Sequence, residues 1–138
     1  MKKITMITSI LTLLFLSSCN KNIRVKKQID GEWNIDAAYI VKESGGTVTY
    51  DESFFNFGTF TFNHDNSKGV LDTEIGTFEI TNYYLTYDGT ILNIEYDSSG
   101  DNVLYSVSDY EKKSKMTLTT ESTSQGVKTT IIYSLTKK

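Results

Sequence analysis

The chain has 138 residues, with 14 basic and 17 acidic side chains, one histidine, one cysteine and no proline, for a formal charge of −3. That balance, with no basic face interleaved with aromatics, does not suit nucleic acid as a partner. One histidine and one cysteine are too few for a structural zinc site, and they assemble neither a Ser-His-Asp nor a Cys-His nucleophile.

The N-terminus carries Lys2 and Lys3, an apolar run from Ile4 to Leu16, and then Leu16-Ser17-Ser18-Cys19. The run is too short for a permanent membrane span and has the layout of an export signal: charged start, apolar centre, small residues at the end. Leu16-Ser17-Ser18-Cys19 resembles the lipobox of bacterial lipoprotein precursors. The resemblance implies that residues 1–18 are removed and that Cys19 carries a diacylglyceryl thioether and an acylated amine. An ordinary secretory signal with an incidental cysteine is the competing reading. Two or three acyl chains, each buried methylene contributing about 0.8 kcal/mol, hold a protein on a membrane essentially permanently. Residues 19–29 then form a lipidated tether and 30–138 the folded domain. The tether holds Lys21, Arg24, Lys26 and Lys27, either as a solvated linker or against anionic headgroups. It has neither an Asp directly after the cysteine nor an acidic cluster. By resemblance this implies the outer membrane facing the periplasm.

The mature chain has twelve basic and seventeen acidic residues, a formal charge of −5. With Cys19 lipidated no thiol remains for a disulfide, so the domain rests on its core alone. Residues 22–29 are the one stretch with helical character, too short to be stable alone and placed to cap an end of a sheet. From Ile29 onward Thr, Tyr, Val and Ile predominate, and turn signals recur at Gly45-Gly46, His64–Ser67, Asp88-Gly89, Ser98–Asp101 and Ser124–Gly126.

The first strand is expected over about Glu32–Lys42, with Trp33, Ile35, Ala37, Tyr39 and Val41 on one face. In the second, Phe60 and Phe62 alternate with threonines while Phe55 and Phe57 are in the opposite phase. A bulge near Gly58 would bring both pairs inward. Later strands place Phe78 with Ile80; Leu92, Ile94 and Tyr96 together; Leu104 opposite Val103 and Tyr105; Met116 with Leu118; and Ile131, Tyr133 and Leu135 together. Tyr83 and Tyr84 point to opposite faces, leaving one exposed. A meander of about eight such pieces without crossover helices must close into a barrel or fold over as a sandwich to protect its edges. The fold expected is all-β, a single antiparallel up-and-down barrel.

Gly31-Glu32-Trp33 at the head of the first strand resembles the Gly-x-Trp signature of lipocalins, in which Trp plugs the closed end of the barrel. The resemblance implies a basic side chain packed over that ring, here Lys137 or Lys138, where the family typically uses Arg. Ser108-Asp109-Tyr110 echoes the family's Thr-Asp-Tyr. The closing Leu135-Thr136-Lys137 is similar to the last strand of small lipocalin-like lipoproteins of Bacteroidota.

His64 lies in a polar turn and reads as a solvated turn residue rather than a catalyst. Asp65–Ser67 and Asp97–Asp101 cluster oxygens but fit no EF-hand loop, and turn chemistry accounts for them. Glu74, Glu79 and Glu95 offer carboxylates without a spacing that singles out a glycosidase pair. No cofactor is implied, and the expectation is a protein that is not an enzyme. Phe60, Phe62, Phe78, Tyr96 and Tyr133 are candidates for lining an internal cavity, or simply core. Two functions follow. A tethered barrel could bind a small apolar or lipid-like ligand at the end opposite Trp33. Alternatively, a solid barrel could serve an envelope protein partner as scaffold or inhibitor through rim loops or an edge strand.

Overall fold

The computed structural model describes residues 28–138 apart from Tyr87, Ser98, Ser99 and Asp101. The expected signal segment, Cys19 and nearly all of the expected tether lie outside the described residues. Eight strands follow one another: β1 (Gly31–Ser44), β2 (Thr47–Asn63), β3 (Lys68–Thr73), β4 (Gly76–Leu85), β5 (Ile91–Tyr96), β6 (Asn102–Glu111), β7 (Lys115–Ser124) and β8 (Val127–Lys137). Each pairs antiparallel with its neighbour, and β8 returns to β1 to close the barrel. Closure is what an all-antiparallel meander needs if no long edge is to be left at its ends.

The turns explain the order. Gly45-Gly46 and Gln125-Gly126 are two-residue hairpin turns with positive φ at both positions, the geometry whose twist matches the flanking strands. Two further turns, at Glu74-Ile75 and Lys112–Ser114, carry no Gly-Asn or Asp-Gly signal of their own, although Gly76 follows the first. Gln28 and Ile29 are helical and lie at the Trp33 end of the barrel, where Ile29 is 1% exposed.

The register of β1 and β2 slips twice, between Lys42 and Glu43 and, with the larger consequence, between Ile35 and Ala37, where β1 also slips against β8. Ile35 faces Gly58 but Ala37 faces Phe55, so Asp36 stands against both Asn56 and Phe57. Asn56 takes φ +52 and Gly58 φ +153 to make this bulge, and a side chain on Gly58 would collide with the Asp72 carbonyl of β3. The bulge reverses the phase of both strands. Tyr39 is exposed and Val41 is on the outer side, contrary to the alternation that places them with Trp33, while Ala38 is fully buried in their stead. On β2, Phe57 turns inward as expected. Phe55 instead points out at 69% exposure, and Phe54 packs on the core.

The core is largely aromatic. Phe60 stacks on Phe62 (ring centroids 5.5 Å), Phe62 meets the edge of Tyr83 (5.0 Å), and Phe60 meets Tyr105 and Tyr133 edge-on (6.4 and 5.7 Å). Such offset and edge-on pairs add about 0.5–1.5 kcal/mol each beyond the area they bury.

Candidate functional site

At the end where β1 begins, the barrel floor is built from Trp33 and Lys137, which lie directly opposite one another in the β1–β8 register. Trp33 is fully buried, and its indole N–H donates to the Ile29 carbonyl at 2.8 Å. The Lys137 ammonium sits 4.9 Å from the Trp33 ring centroid and donates to the Asp30 carbonyl. Burial lowers the Lys137 pKa, and Asp30 opposes that shift. Gly31 has a physical reason to lack a side chain: its φ of +99 is one that L side chains rarely adopt, and a Cβ there would also displace the Lys137 ammonium. The three residues Gly31, Trp33 and Lys137 thus meet in one closure. Lys138 instead pairs with Glu32 outside it.

The opposite end is shaped by strand length. β1, β2, β7 and β8 run past the other four. β3 pairs with β2 only over Gly58–Asn63, and β6 pairs with β7 only between Ser106/Thr119 and Glu111/Lys115. Four overhanging strands therefore form a wall standing above the mouth. Where β6 and β7 part there is a lateral slot of about 240 Å³, bordered by Val103, Leu104 and Thr120.

Inside the mouth Phe54, Phe78, Val103 and Ile131 are half-buried against the core. Just beneath them the Tyr96 and Tyr105 hydroxyls lie 3.0 Å apart, with Tyr133 beside Tyr105 (ring centroids 6.3 Å). Burial pushes all three phenols well above the ordinary tyrosine value, so they stay protonated donors across any physiological pH. A phenol pair has two O–H hydrogens and one mutual hydrogen bond. Among the described residues no acceptor takes the second hydrogen.

Of the five residues expected to line a cavity, Phe60 and Phe62 lie deep, at 0% and 1% exposure, and their faces are taken up by each other and by tyrosines. Phe78, Tyr96 and Tyr133 sit nearer the mouth. Phe54, Val103, Tyr105 and Ile131 join them there. Val103, Tyr105 and Ile131 carry the right two-residue phase in the sequence, whereas Phe54 is hidden by the bulge.

The other polar features are turn chemistry. His64 Nδ1 contacts Asp65 at 3.0 Å, its backbone N–H donates to Asp30, and the Asn63 and Asn66 side chains accept backbone N–H groups of their own turn. Glu79 and Glu95 are exposed on the outer face of the barrel, and Glu74 is exposed in the β3–β4 turn. Among the described residues no group of three or more His, Cys, Asp or Glu side chains could hold a metal ion. A second hollow, about 280 Å³, lies beneath the floor between Ile29, Leu85, Val107 and Tyr110. On its rim the Thr86 hydroxyl, then the Thr90 backbone N–H and hydroxyl, donate to Asp88 and hold its carboxyl at about 2. No protein-family model, no curated protein and no solved structure matches this chain.

Proposed function

We propose that this is a membrane-tethered, lipocalin-like binding protein of the cell envelope, anchored through Cys19, whose mouth takes a small apolar or lipid-like molecule bearing an oxygen acceptor. The observation that carries the reading is the Tyr96–Tyr105 pair. It is a protonated donor with one hydrogen to spare, its Tyr96 ring meets Phe78 edge-on, and Phe54, Phe78, Val103 and Ile131 pack half-buried on the core it belongs to. Binding sites of this kind combine a mostly apolar lining with a few placed polar groups. Because the deep aromatics fill the lower barrel, the ligand occupies the upper part only. That favours a short chain or a single ring over an extended lipid.

The test uses a fluorescent acyl-chain carboxylate titrated into the mature protein. Ile131→Glu, which places a charge in the mouth, weakens binding tenfold or more, equivalent to about 1.4 kcal/mol. Ile75→Glu, on the exposed β3–β4 turn, leaves it unchanged. Tyr105→Phe removes one donor and weakens binding several-fold, in line with a hydrogen bond contributing about 0.5–1.5 kcal/mol. Equal binding by all variants would remove the mouth as the site. The anchor is tested separately. The mature protein recovered from membranes has an intact mass exceeding that of residues 19–138 by three acyl chains and a glyceryl group, and Cys19→Ala abolishes both the added mass and membrane retention.

A second reading, a scaffold working through an exposed edge, is favoured by the overhang of β2 beyond β3.

A further inference from the structure

β2 has seventeen residues, but β3 covers only Gly58–Asn63, and one further backbone bond runs from the Glu74 N–H to the Phe57 carbonyl. Thr47–Asn56 therefore has β1 on one side and, among the described residues, no strand on the other. Along such a stretch about half of the backbone N–H and C=O groups point away from the sheet and are available to another chain. Protein edges are usually blunted by charge, proline, a bulge or a short length. This one has ten residues and no proline or lysine; its charge is the acidic pair Asp51-Glu52, and its register slips against β1 at Thr49 and again beside Asn56.

Its side chains specify a guest. Cross-strand partners assign Phe54 and Glu52 to the face shared with Ala38 and Ile40, and Phe55 and Asp51 to the face shared with Ala37 and Val41. The first face thus offers Tyr50, Phe54 and one acid, and the second Phe55 and one acid. The Glu52 carboxylate raises the Tyr50 pKa, and Lys42 lies over the Tyr50 ring at 5.4 Å. Asp51 has no cationic partner among the described residues. A second copy is a poor occupant. Two such edges paired antiparallel over their full length set Asp51 against the other copy's Glu52 and Glu52 against its Asp51, four carboxylates on two adjacent rungs. The acids that oppose self-pairing attract a strand with basic residues at its centre.

We propose that the free edge Thr47–Asn56 of β2 takes an extended, Lys- or Arg-bearing segment of a protein partner as an added strand. Backbone bonds supply affinity, and Asp51 and Glu52 supply the selection. The edge lies at the end of β1 opposite Gln28, so a partner docks on the side of the barrel away from the tether. The inference is independent of the ligand proposed for the mouth.

The test maps backbone amide shifts of the isotope-labelled mature lipoprotein in detergent micelles against three ten-residue peptides of alternating threonine and valine. One has two central lysines, one has two central glutamates, and one is the lysine version methylated on alternate backbone nitrogens. The lysine peptide is expected to shift amides of residues 47–56, to bind at least tenfold more tightly than the glutamate peptide at low salt, and to weaken as salt is added. The methylated peptide is expected not to bind. Asp51→Lys combined with Glu52→Lys reverses the charge preference without altering the melting temperature by more than a few degrees, since both acids are exposed. The inference is overturned by equal affinity for the two charge types, by shifts centred elsewhere, by undiminished binding of the methylated peptide, by failure of the lysine peptide to bind, or by self-association through this edge.

Discussion

Trp33 carries more of this structure than any other single side chain because three separate interactions converge on it: complete burial, the indole bond to Ile29, and the Lys137 ammonium over its ring. Trp33→Ala is expected to cost about 3–5 kcal/mol, the usual range for removing a buried indole or phenyl group from a core. Lys137→Met keeps the packing of the stem and removes the charge. It should cost about 0.5–2 kcal/mol and alter the emission of the chain's single tryptophan. Chemical denaturation of the two variants checks both figures, and a silent Lys137→Met would mean that the cation merely lies near the ring. The Lys137 contact spans a hundred residues of sequence and was expected only through the resemblance carried by Gly31-Glu32-Trp33, which left Lys137 and Lys138 both open; the register of β1 and β8 selects Lys137. The Tyr96–Tyr105 pair was not readable. Its two members share an inward phase, but which inward hydroxyls meet depends on strand tilt, which no single-strand pattern encodes.

Between neighbouring strands the bulge at Asn56–Gly58 has the largest consequence, because it decides which residues of β1 and β2 reach the mouth. Gly58 combines φ +153 with a Cβ position that would lie 2.8 Å from the Thr73 Cα and against the Asp72 carbonyl, so alanine fits neither the backbone nor the space. Gly58→Ala is expected to destabilise by roughly 2 kcal/mol or more. Amide exchange should quicken first along Gly58–Asn63 and its β3 partners. Uniform exchange across the barrel would show that the bulge has no local role. Sequence reading located this bulge from the opposed phases of Phe55/Phe57 and Phe60/Phe62, yet assigned Phe55 inward. A bulge shifts phase by one residue, and the pattern alone does not say which residue is the extra one. The turns with paired positive-φ residues were legible for the same reason that Gly58 was. Glu74-Ile75 and Lys112–Ser114 were not, since the positive φ of the first falls on Gly76 after the turn and that of the second on Lys113, a residue type that does not announce it.

At the scale of the molecule the eight-stranded closed order was legible almost completely, because period-two alternation punctuated by turns leaves few alternatives once crossover helices are absent. The interior makes the whole barrel sensitive to alkali. The phenols of Tyr83, Tyr96, Tyr105 and Tyr133 are held above the ordinary value of 10, chiefly by burial. A raised folded-state pKa means that the neutral form is preferred in the barrel. The associated stability is complete below pH 10 and declines as the unfolded chain ionises above it, by up to about 1.4 kcal/mol per pH unit for each such phenol. An ultraviolet titration should therefore show these phenols ionising only in a step that coincides with loss of the β circular dichroism signal. Smooth ionisation with the barrel intact would mean that water reaches them freely.

The proposed binding function is tested most directly by native mass spectrometry of the protein purified from its own envelope, with the same sample measured after denaturation. The account predicts a reproducible small-molecule mass on the folded protein, lost on unfolding and diminished in Ile131→Glu. A bare chain that stays bare when envelope lipid extracts are added back would contradict it and leave the free edge of β2 as the working surface of the molecule.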